Sequence, residues 1–272
     1  MCDLWQHTTE ERTPAGAIPA QISFALNELT AGHAARPARQ IKLYNSGSFF
    51  DRAAIPLEDY QSIAQQVAGF ERVIVESHPA LIGDATLRFR DLLNTAAAKD
   101  FVVKPLPVTL EVAMGLETAH PQVLDQLNKR FNLDGFAHAA EGLRQEAIAL
   151  RVFVLIKPPF MSGAEGLEWA VRSAEFAFDC GATAVSLIPT RPGNGALEAL
   201  AAQGHFAPPR LATVEAALER GLALGRGRVF VDLWDLEKFS NCPACFAARR
   251  ERLQRLNLEQ QWLPPIRCER CS

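Results

Sequence analysis

The sequence predicts an α/β fold in which parallel strands alternate with helices. Short apolar runs alternate along the chain with longer stretches whose apolar residues recur at helical spacing. Several runs are apolar throughout, which indicates strands buried on both faces of a parallel sheet. Polar residues follow strand after strand, as in a barrel with its site at that rim: Asn45, Glu76, Glu117, Lys157 and Thr190. An open doubly wound sheet would fit the same pattern of elements.

About six strands are expected. Each apolar run ends at a turn signal such as Asn-Ser-Gly, Lys-Pro-Pro or Pro-Thr. The predicted strands cover residues 41–44, 73–75, 108–114, 152–156, 184–188 and 229–232.

Helices are predicted between these strands from the spacing of apolar residues and, at Pro56, from a proline in the first turn. They cover residues 18–29, 56–70, 84–97, 121–129, 136–149, 164–178 and 211–224. The basic segment 249–255 is also predicted to be helical. Its arginines form either a solvated face or a contact to an anionic substrate.

The composition is that of a globular protein. The chain has 272 residues, of which 48% are hydrophobic and 22% charged, and this excludes a disordered tail protein or a coiled coil. The net charge of −3 gives no overall field that indicates nucleic-acid binding. No apolar run approaches the roughly 18–20 residues that span a bilayer, and the N-terminus lacks the layout of a signal peptide. We therefore expect a cytoplasmic protein with no membrane partner.

Four of the six cysteines form two C-x-x-C pairs near the C-terminus, Cys242 with Cys245 and Cys268 with Cys271. In a reducing compartment such clustered thiols bind metal more often than they form disulfides, and four thiolates suit a tetrahedral site. Zinc is the favoured metal, and an auxiliary iron–sulfur cluster is the alternative. We expect a barrel domain over residues 1–235 and a metal-binding extension over residues 236–272.

Two features at strand ends indicate ligand binding. The turn Asn45-Ser46-Gly47-Ser48 offers consecutive backbone N–H groups to a ligand, although an ordinary turn between a strand and a helix has the same composition. Glu76 and Glu117 end two different strands and are suited to binding hydroxyl or amino groups, or to general acid–base chemistry. Their alternative role is a helix cap or an ion pair with Lys42, Lys157 or Arg130.

Five stretches together resemble the radical S-adenosylmethionine (SAM) superfamily, in the branch that contains the Elongator catalytic subunit and the radical SAM protein of archaeosine synthesis. Residues 1–5, with Cys2, resemble the end of the family's C-x-x-x-C-x-x-C cluster loop. Residues 43–49 resemble the strand-end motif that holds the SAM amino group. Residues 75–79 and 114–130 are similar to the Glu-Thr-Arg-Pro and glycine-leucine-glutamate segments, and residues 239–245 resemble archaeosine-type proteins.

The resemblance implies a partial (β/α)₆ barrel that binds SAM and a 4Fe–4S cluster. Reductive cleavage of SAM would give a 5′-deoxyadenosyl radical, which abstracts hydrogen from the substrate. By analogy the substrate is a tRNA nucleoside, with a small metabolite or a protein side chain as alternatives. An electron donor such as flavodoxin or ferredoxin is implied. The same resemblance makes Cys2 a cluster ligand and implies that SAM is bound by Asn45, Ser46, Gly47, Ser48, Glu76 and Glu117.

One departure from the family concerns the cluster motif. The sequence holds its last cysteine, Cys2, and has no C-x-x-x-C-x-x-C elsewhere. We expect cysteine codons two and six positions before the Met1 codon. The competing hypothesis is a barrel without the catalytic cluster that keeps its zinc and acts as a binding or scaffold protein. A third hypothesis is a lyase or aldolase barrel in which Lys157 forms a Schiff base.

Overall fold

The computed structural model describes residues 11–31, 38–45, 47–99, 108–193 and 195–271, which include six strands of one sheet. The strands are β1 Gln40–Leu43, β2 Arg72–Ser77, β3 Thr109–Glu117, β4 Ala149–Ile156, β5 Ala184–Pro189 and β6 Arg228–Val231. They lie in the sheet in the order in which they occur in the chain. A doubly wound sheet reverses its strand order at a switch point. The sequential order is instead that of a partial (β/α)₆ barrel, so the predicted fold class is confirmed.

Helices precede β1, connect the strands in turn, and follow β6. They are α1 Ala17–Ala31, α2 Tyr60–Val67, α3 Asp84–Lys99, α4 Pro121–Gln126, α5 Leu133–Gln145, α6 Gly163–Asp179, α7 Ala196–Ala202, α8 Leu211–Ala223 and α9 Pro243–Glu259. The short α7 was not predicted, because seven residues are too few for a helical period to show. Among the described helices, none is both long and apolar enough to cross a membrane.

The chain divides into two compact units. The N-terminal unit comprises the described residues of 4–114 and 138–150. Its core contains four aromatic side chains, each at most 3% exposed, from Phe49, Phe50, Tyr60 and Phe89. Their ring centroids lie 4.6–6.5 Å apart, in tilted and edge-on arrangements. Because Phe49 and Phe50 come soon after β1, this packing fixes the chain that follows that strand.

The C-terminal unit comprises the described residues of 115–137 and 151–271. Its helices approach the strands closely where they carry glycine. A Cβ at Gly221 on α8 would lie 2.9 Å from a methyl group of Val229, and a Cβ at Gly166 on α6 would lie 2.6 Å from the Cβ of Lys157. Since real Cβ atoms do not tolerate such contacts, these positions require glycine for α6 and α8 to pack as they do.

Helix α9 completes the edge of β6 with two side-chain amides. Asn257 accepts from the N–H of Val231 and donates to its carbonyl, both at 2.8 Å. Gln260, directly after the helix, makes the same pair of bonds with Val229, also at 2.8 Å. The two side-chain amides therefore occupy the positions at which the backbone of a further strand would pair with β6. The predicted domain boundary between residues 235 and 236 stays a prediction.

Candidate functional site

A cavity of about 720 Å³ lies in the N-terminal unit, lined by α1, β1 and the loop after β1. Its size falls in the range of small-molecule sites. Three of the residues predicted to bind SAM line it, namely Asn45, Gly47 and Ser48, together with Lys42 from β1. The fourth loop residue of that prediction, Ser46, lies outside the described residues.

The side chain of Asn45 has an unpaired polar atom at this cavity. Its side-chain oxygen Oδ1 is buried and has no hydrogen-bond partner among the described residues. Its Nδ2 makes one long bond, 3.4 Å, to the carbonyl of Ser48. Buried acceptors are nearly always paired in folded proteins. An unpaired one beside a cavity is suited to accept a hydrogen bond from the ammonium or hydroxyl group of a ligand.

The loop after β1 is bound to the end of β2 by two hydrogen bonds. The N–H of His78 donates to Oγ of Ser48 at 2.9 Å, and the N–H of Phe49 donates to the carbonyl of Glu76 at 2.8 Å. Burial raises the pKa of the Glu76 carboxyl to about 7, although the positive charge of Lys42 acts in the opposite direction. The structure thus brings Ser48 next to Glu76 and leaves that carboxyl able to exchange a proton near neutral pH.

Glu117 ends β3 and belongs to the C-terminal unit. Its backbone has a φ of 65°, a left-handed conformation that is uncommon outside glycine. The carboxylate occupies the space above Gly115, where a Cβ would lie 2.7 Å from Oε1. The same Oε1 lies 2.9 Å from Nζ of Lys129.

Lys129 is an ion-pair partner of Glu117 that was not predicted from the sequence. The apolar spacing predicts a continuous helix over residues 121–129, whereas α4 ends at Gln126. Beyond it, Asn128 and Arg130 both have a positive φ, of 50° and 60°. This turn lets Lys129 reach Glu117, and no periodicity in the sequence indicates it.

Lys157 follows β4 with a φ of 54°. Its amine donates to the carbonyl of Ala207, and burial lowers its pKa. The amine is therefore held inside the unit by a backbone acceptor. The Schiff-base hypothesis stays a prediction.

Cys242, Cys245, Cys268 and Cys271, here called the four-cysteine cluster, have sulfur atoms within 4.8 Å of one another. Cys242 and Cys245 flank the first turn of α9, and the other two lie in the segment after that helix. The sulfur pairs 242–268 and 245–271 are 3.9 and 3.5 Å apart, too far for disulfides. Tetrahedral Zn–S bonds of about 2.3 Å place sulfurs about 3.8 Å apart, so the spacing fits one metal ion.

The thiols of the cluster differ in acidity. The N–H of Cys245 donates to the sulfur of Cys242 and lowers the pKa of that thiol to about 7. Hydrogen bonding to the other sulfurs raises the pKa of Cys271 to about 12. A metal that binds here must therefore displace protons, which makes binding dependent on pH.

Two arginines of the basic segment 249–255 join α9 to α8. Arg249 donates to Glu215 at 3.0 Å, and Arg252 donates to Glu219 at 2.7 Å, both on α8. Arg252 also donates to the carbonyl of Pro264 at 2.7 Å. These two side chains are therefore neither a solvated face nor open to a substrate. They attach the helix and the following segment to the C-terminal unit.

A second group missed from the sequence lies at the ends of β5 and β6. Arg191 forms an ion pair with Asp232, with Nη2 and Oδ2 at 2.7 Å. Both side chains also bond the backbone of Trp234, whose indole faces solvent. The only sequence signal was a tryptophan in the polar surroundings of Asp-Leu-Trp-Asp.

The chain is similar to archaeosine synthase subunit beta of Methanosarcina acetivorans, with 28% identity over 192 residues. This match covers 69% of the chain and 52% of that protein. A second subunit beta, from Thermococcus kodakarensis, is 29% identical over 137 residues, which are 49% of the chain and 39% of that protein. An uncharacterized protein of Methanocaldococcus jannaschii is 24% identical over 96% of the chain and 71% of its own length.

Among solved structures, Elp3 of Methanocaldococcus infernus superposes with a TM-score of 0.59 and 14% identity, over 79% of this chain and 52% of that one. Both kinds of protein named in the sequence analysis thus recur. The predicted resemblance to this branch of the radical SAM superfamily is confirmed. No family model matches the chain. The chain spans about half the length of the archaeosine synthase subunit of M. acetivorans.

The β1 loop (residues 44–45 and 47–49) offers chemistry that fits SAM, the ligand that the resemblance predicts. The ammonium group of SAM needs acceptors, and Oδ1 of Asn45 is an acceptor without a donor. Cys2, the predicted cluster ligand, lies outside the described residues.

Proposed function

We propose that this chain is a radical SAM enzyme that acts on a nucleoside of tRNA. The relatives named archaeosine synthase subunit beta support the substrate, and the unpaired Oδ1 of Asn45 in the cavity after β1 supports the SAM site. When bound, a 4Fe–4S cluster and SAM would supply reductive cleavage and a radical that abstracts hydrogen. Flavodoxin or ferredoxin is the kind of electron donor that this chemistry requires.

The residues of the N-terminal unit have defined parts in this proposal. Asn45 accepts a hydrogen bond from the SAM ammonium group through Oδ1. Gly47 and Ser48 line the same cavity, and Ser48 holds the loop against β2 through His78. Glu76 adds a carboxyl that is neutral or charged near pH 7, so it donates to or accepts from a polar group of the ligand.

Ser46 and Glu117 are the two further residues for which the resemblance implies SAM binding. The carboxylate of Glu117 is oriented by Lys129 and by the absence of a side chain at Gly115. The cluster itself needs two cysteines that this sequence does not contain, in addition to Cys2.

Replacing Asn45 tests the SAM site. Loss of a buried acceptor for a charged donor removes about 1.5–3 kcal/mol, so Asn45→Ala should bind SAM at least tenfold more weakly in calorimetric titration. Asn45→Asp keeps an acceptor oxygen and should bind within about threefold of the wild type. Asn94→Ala, an exposed asparagine on α3, is the matched control. Equal SAM affinity in the wild type and Asn45→Ala would contradict the proposed site.

A second candidate function, a zinc-binding barrel that acts as a binding or scaffold protein, is favoured by one observation. Among the described residues, the four sulfurs of the four-cysteine cluster lie within 4.8 Å of one another, as a structural metal site requires. Iron content separates the two. The enzyme requires about four iron atoms per chain after anaerobic reconstitution, and the scaffold predicts zinc alone.

The metal of the four-cysteine cluster is part of the same proposal. A 4Fe–4S cluster binds each of its four thiolates to a different iron, which separates the sulfurs more than a single ion does. Sulfurs within 4.8 Å of one another therefore support one zinc ion. We propose that it is structural, since all four ligands come from the protein.

A further inference from the structure

The indole of Trp234 is exposed although its backbone is firmly held. The residue lies three positions beyond the end of β6, and 72% of its surface is exposed. Its N–H donates to Oδ1 of Asp232 at 3.1 Å, and its carbonyl accepts from Nη2 of Arg191 at 2.9 Å. Both backbone groups of one exposed residue are thus bound by charged side chains.

Arg191 and Asp232, here called the clamp, join the ends of two strands. Their ion pair of 2.7 Å connects the chain after β5 with the chain after β6. The guanidinium of Arg191 also lies 5.9 Å from the ring centroid of Phe239, which is buried. Beyond Trp234, Asp235 has a left-handed φ of 51° and pairs with Lys238 at 2.6 Å. The segment is fixed on both sides of the indole.

Folding stability alone does not explain why the indole of Trp234 is kept in solvent. Burying an aromatic side chain of this size would stabilise the chain by about 2–3 kcal/mol. The clamp instead keeps the ring in solvent at the C-terminal ends of the strands. Within the same unit, Glu117 and Lys157 also follow strands at this end, which is where barrels of this class place their substrates.

We propose that Trp234 is a stacking platform for a nucleobase of an RNA substrate and that the clamp holds it in position. The inference rests on the proposed function, since that supplies the RNA. A flat indole stacks on any base, and single-stranded or unstacked RNA is bound in this way. A protein partner would need a continuous apolar patch, whereas the exposed residues around Trp234 include Glu237 and Lys238.

The charges around Trp234 predict how its contribution to RNA binding depends on salt concentration. Lys238 pairs with Asp235, and Arg191 pairs with Asp232, so this segment provides no row of free cations for phosphates. Stacking therefore contributes through the base, independently of counterion release. Loss of the indole should weaken RNA binding equally at low and high salt, without changing the slope of log Kd against log salt concentration.

The experiment measures binding of the full-length chain to an in vitro transcribed tRNA. Stacking is worth about 1–3 kcal/mol per base, so Trp234→Ala should weaken binding by about tenfold. Trp234→Phe retains a ring and should bind within about threefold of the wild type. Trp262→Ala is the matched control, because Trp262 is 65% exposed and lies outside the clamp. Trp262→Ala should bind as the wild type does.

Indole fluorescence supplies a second readout. The tRNA should quench emission in the wild type and in Trp262→Ala, and this quenching should be lost in Trp234→Phe even though that variant still binds. Unchanged affinity in Trp234→Ala, or an equal loss in Trp262→Ala, would overturn the inference. SAM binding is measured in the same variants and should not change, so failure here is distinguishable from failure of the SAM site.

The clamp is tested through non-additivity. Arg191→Gln removes the ion pair and should weaken RNA binding toward the level of Trp234→Ala. If Arg191 acts through the indole, the double variant binds no more weakly than Trp234→Ala alone. Additive losses would show that Arg191 contacts the RNA itself and would overturn its role as a positioning residue.

Discussion

The four-cysteine cluster and the β1 loop are two candidate sites of opposite kinds. The cluster brings four identical ligands together, with sulfur pairs at 3.5 and 3.9 Å, so a single ion would satisfy all of them. The β1 loop instead leaves a buried acceptor unpaired at Asn45 beside its cavity, and the partly buried carboxyl of Glu76 lies on the neighbouring strand β2. A metal site is recognised by convergence of like donors. A site for a larger ligand is recognised by polar groups that the protein leaves unpaired.

The largest effect is expected from breaking the cluster. Cys245→Ser removes one of four ligands, so metal content should fall by one equivalent per chain, measured by elemental analysis. Because metal binding to such a site contributes directly to folding, the midpoint of thermal unfolding should fall by roughly 10 °C. Cys180→Ser is the control, since Cys180 is outside the cluster. An unchanged metal count in Cys245→Ser would refute the metal site.

A smaller effect is expected from the residue that anchors α9, which carries Cys245 of the cluster. Asn257→Ala leaves the N–H and carbonyl of Val231 without their partner. Unpaired backbone groups of this kind should lower the free energy of unfolding by about 2 kcal/mol, measured by urea titration. Gln254→Ala, an exposed residue on the same helix, should leave it nearly unchanged. Equal stability of the two variants would show that the amides do not anchor α9.

The smallest effect is expected from the proton on the carboxyl of Glu76, near the end of β2. The folded pKa of Glu76, about 7, lies above its ordinary value of 4.5, so the folded chain retains the proton longer than the unfolded chain. Stability from this group is present below pH 4.5 and is lost as the pH rises through 7. Linkage alone would make Glu76→Gln more stable than the wild type by about 3 kcal/mol above pH 7. Because the carboxyl is only partly buried and solvent screens it, we expect a difference of about 1 kcal/mol.

The test is how the difference in the free energy of unfolding between Glu76→Gln and the wild type depends on pH. The stability curves of the wild type and Glu76→Gln, measured by urea unfolding across this range, should meet near pH 4.5. Glu58→Gln, at an exposed glutamate, should run parallel to the wild type throughout. A difference between Glu76→Gln and the wild type that does not vary with pH would contradict the burial of a titrating carboxyl.

The two sites also differ in how far the sequence predicts them. The cluster follows from the spacing of four cysteines, because a C-x-x-C pair brings two sulfurs together through a single turn of chain. The strands follow from apolar runs, because burial on both faces requires apolar residues at every position. Both signals are local, and both are confirmed by the structure.

Other features depend on contacts that no local pattern records. The pairing of Lys129 with Glu117 needs two left-handed residues beyond α4, and although Asn128 is a residue type that favours this conformation, Arg130 gives no signal for it. The unpaired state of Asn45 depends on burial by α1 and the chain after β1. The clamp joins residues 41 positions apart. The resemblance predicts Asn45 and Glu117 as SAM-binding residues, and the structure supplies their chemical surroundings.

The paired amides of Asn257 and Gln260 have a consequence for synthesis of the chain. The outer edge of β6 gains its partners only when residue 260 has left the ribosome, about thirty residues after the strand itself. Until then a nascent chain presents an open parallel edge, which is a template for pairing with other strands. The C-terminal helix thus covers the outer edge of β6, and a premature stop upstream of Asn257 should leave that edge open to pairing with other strands.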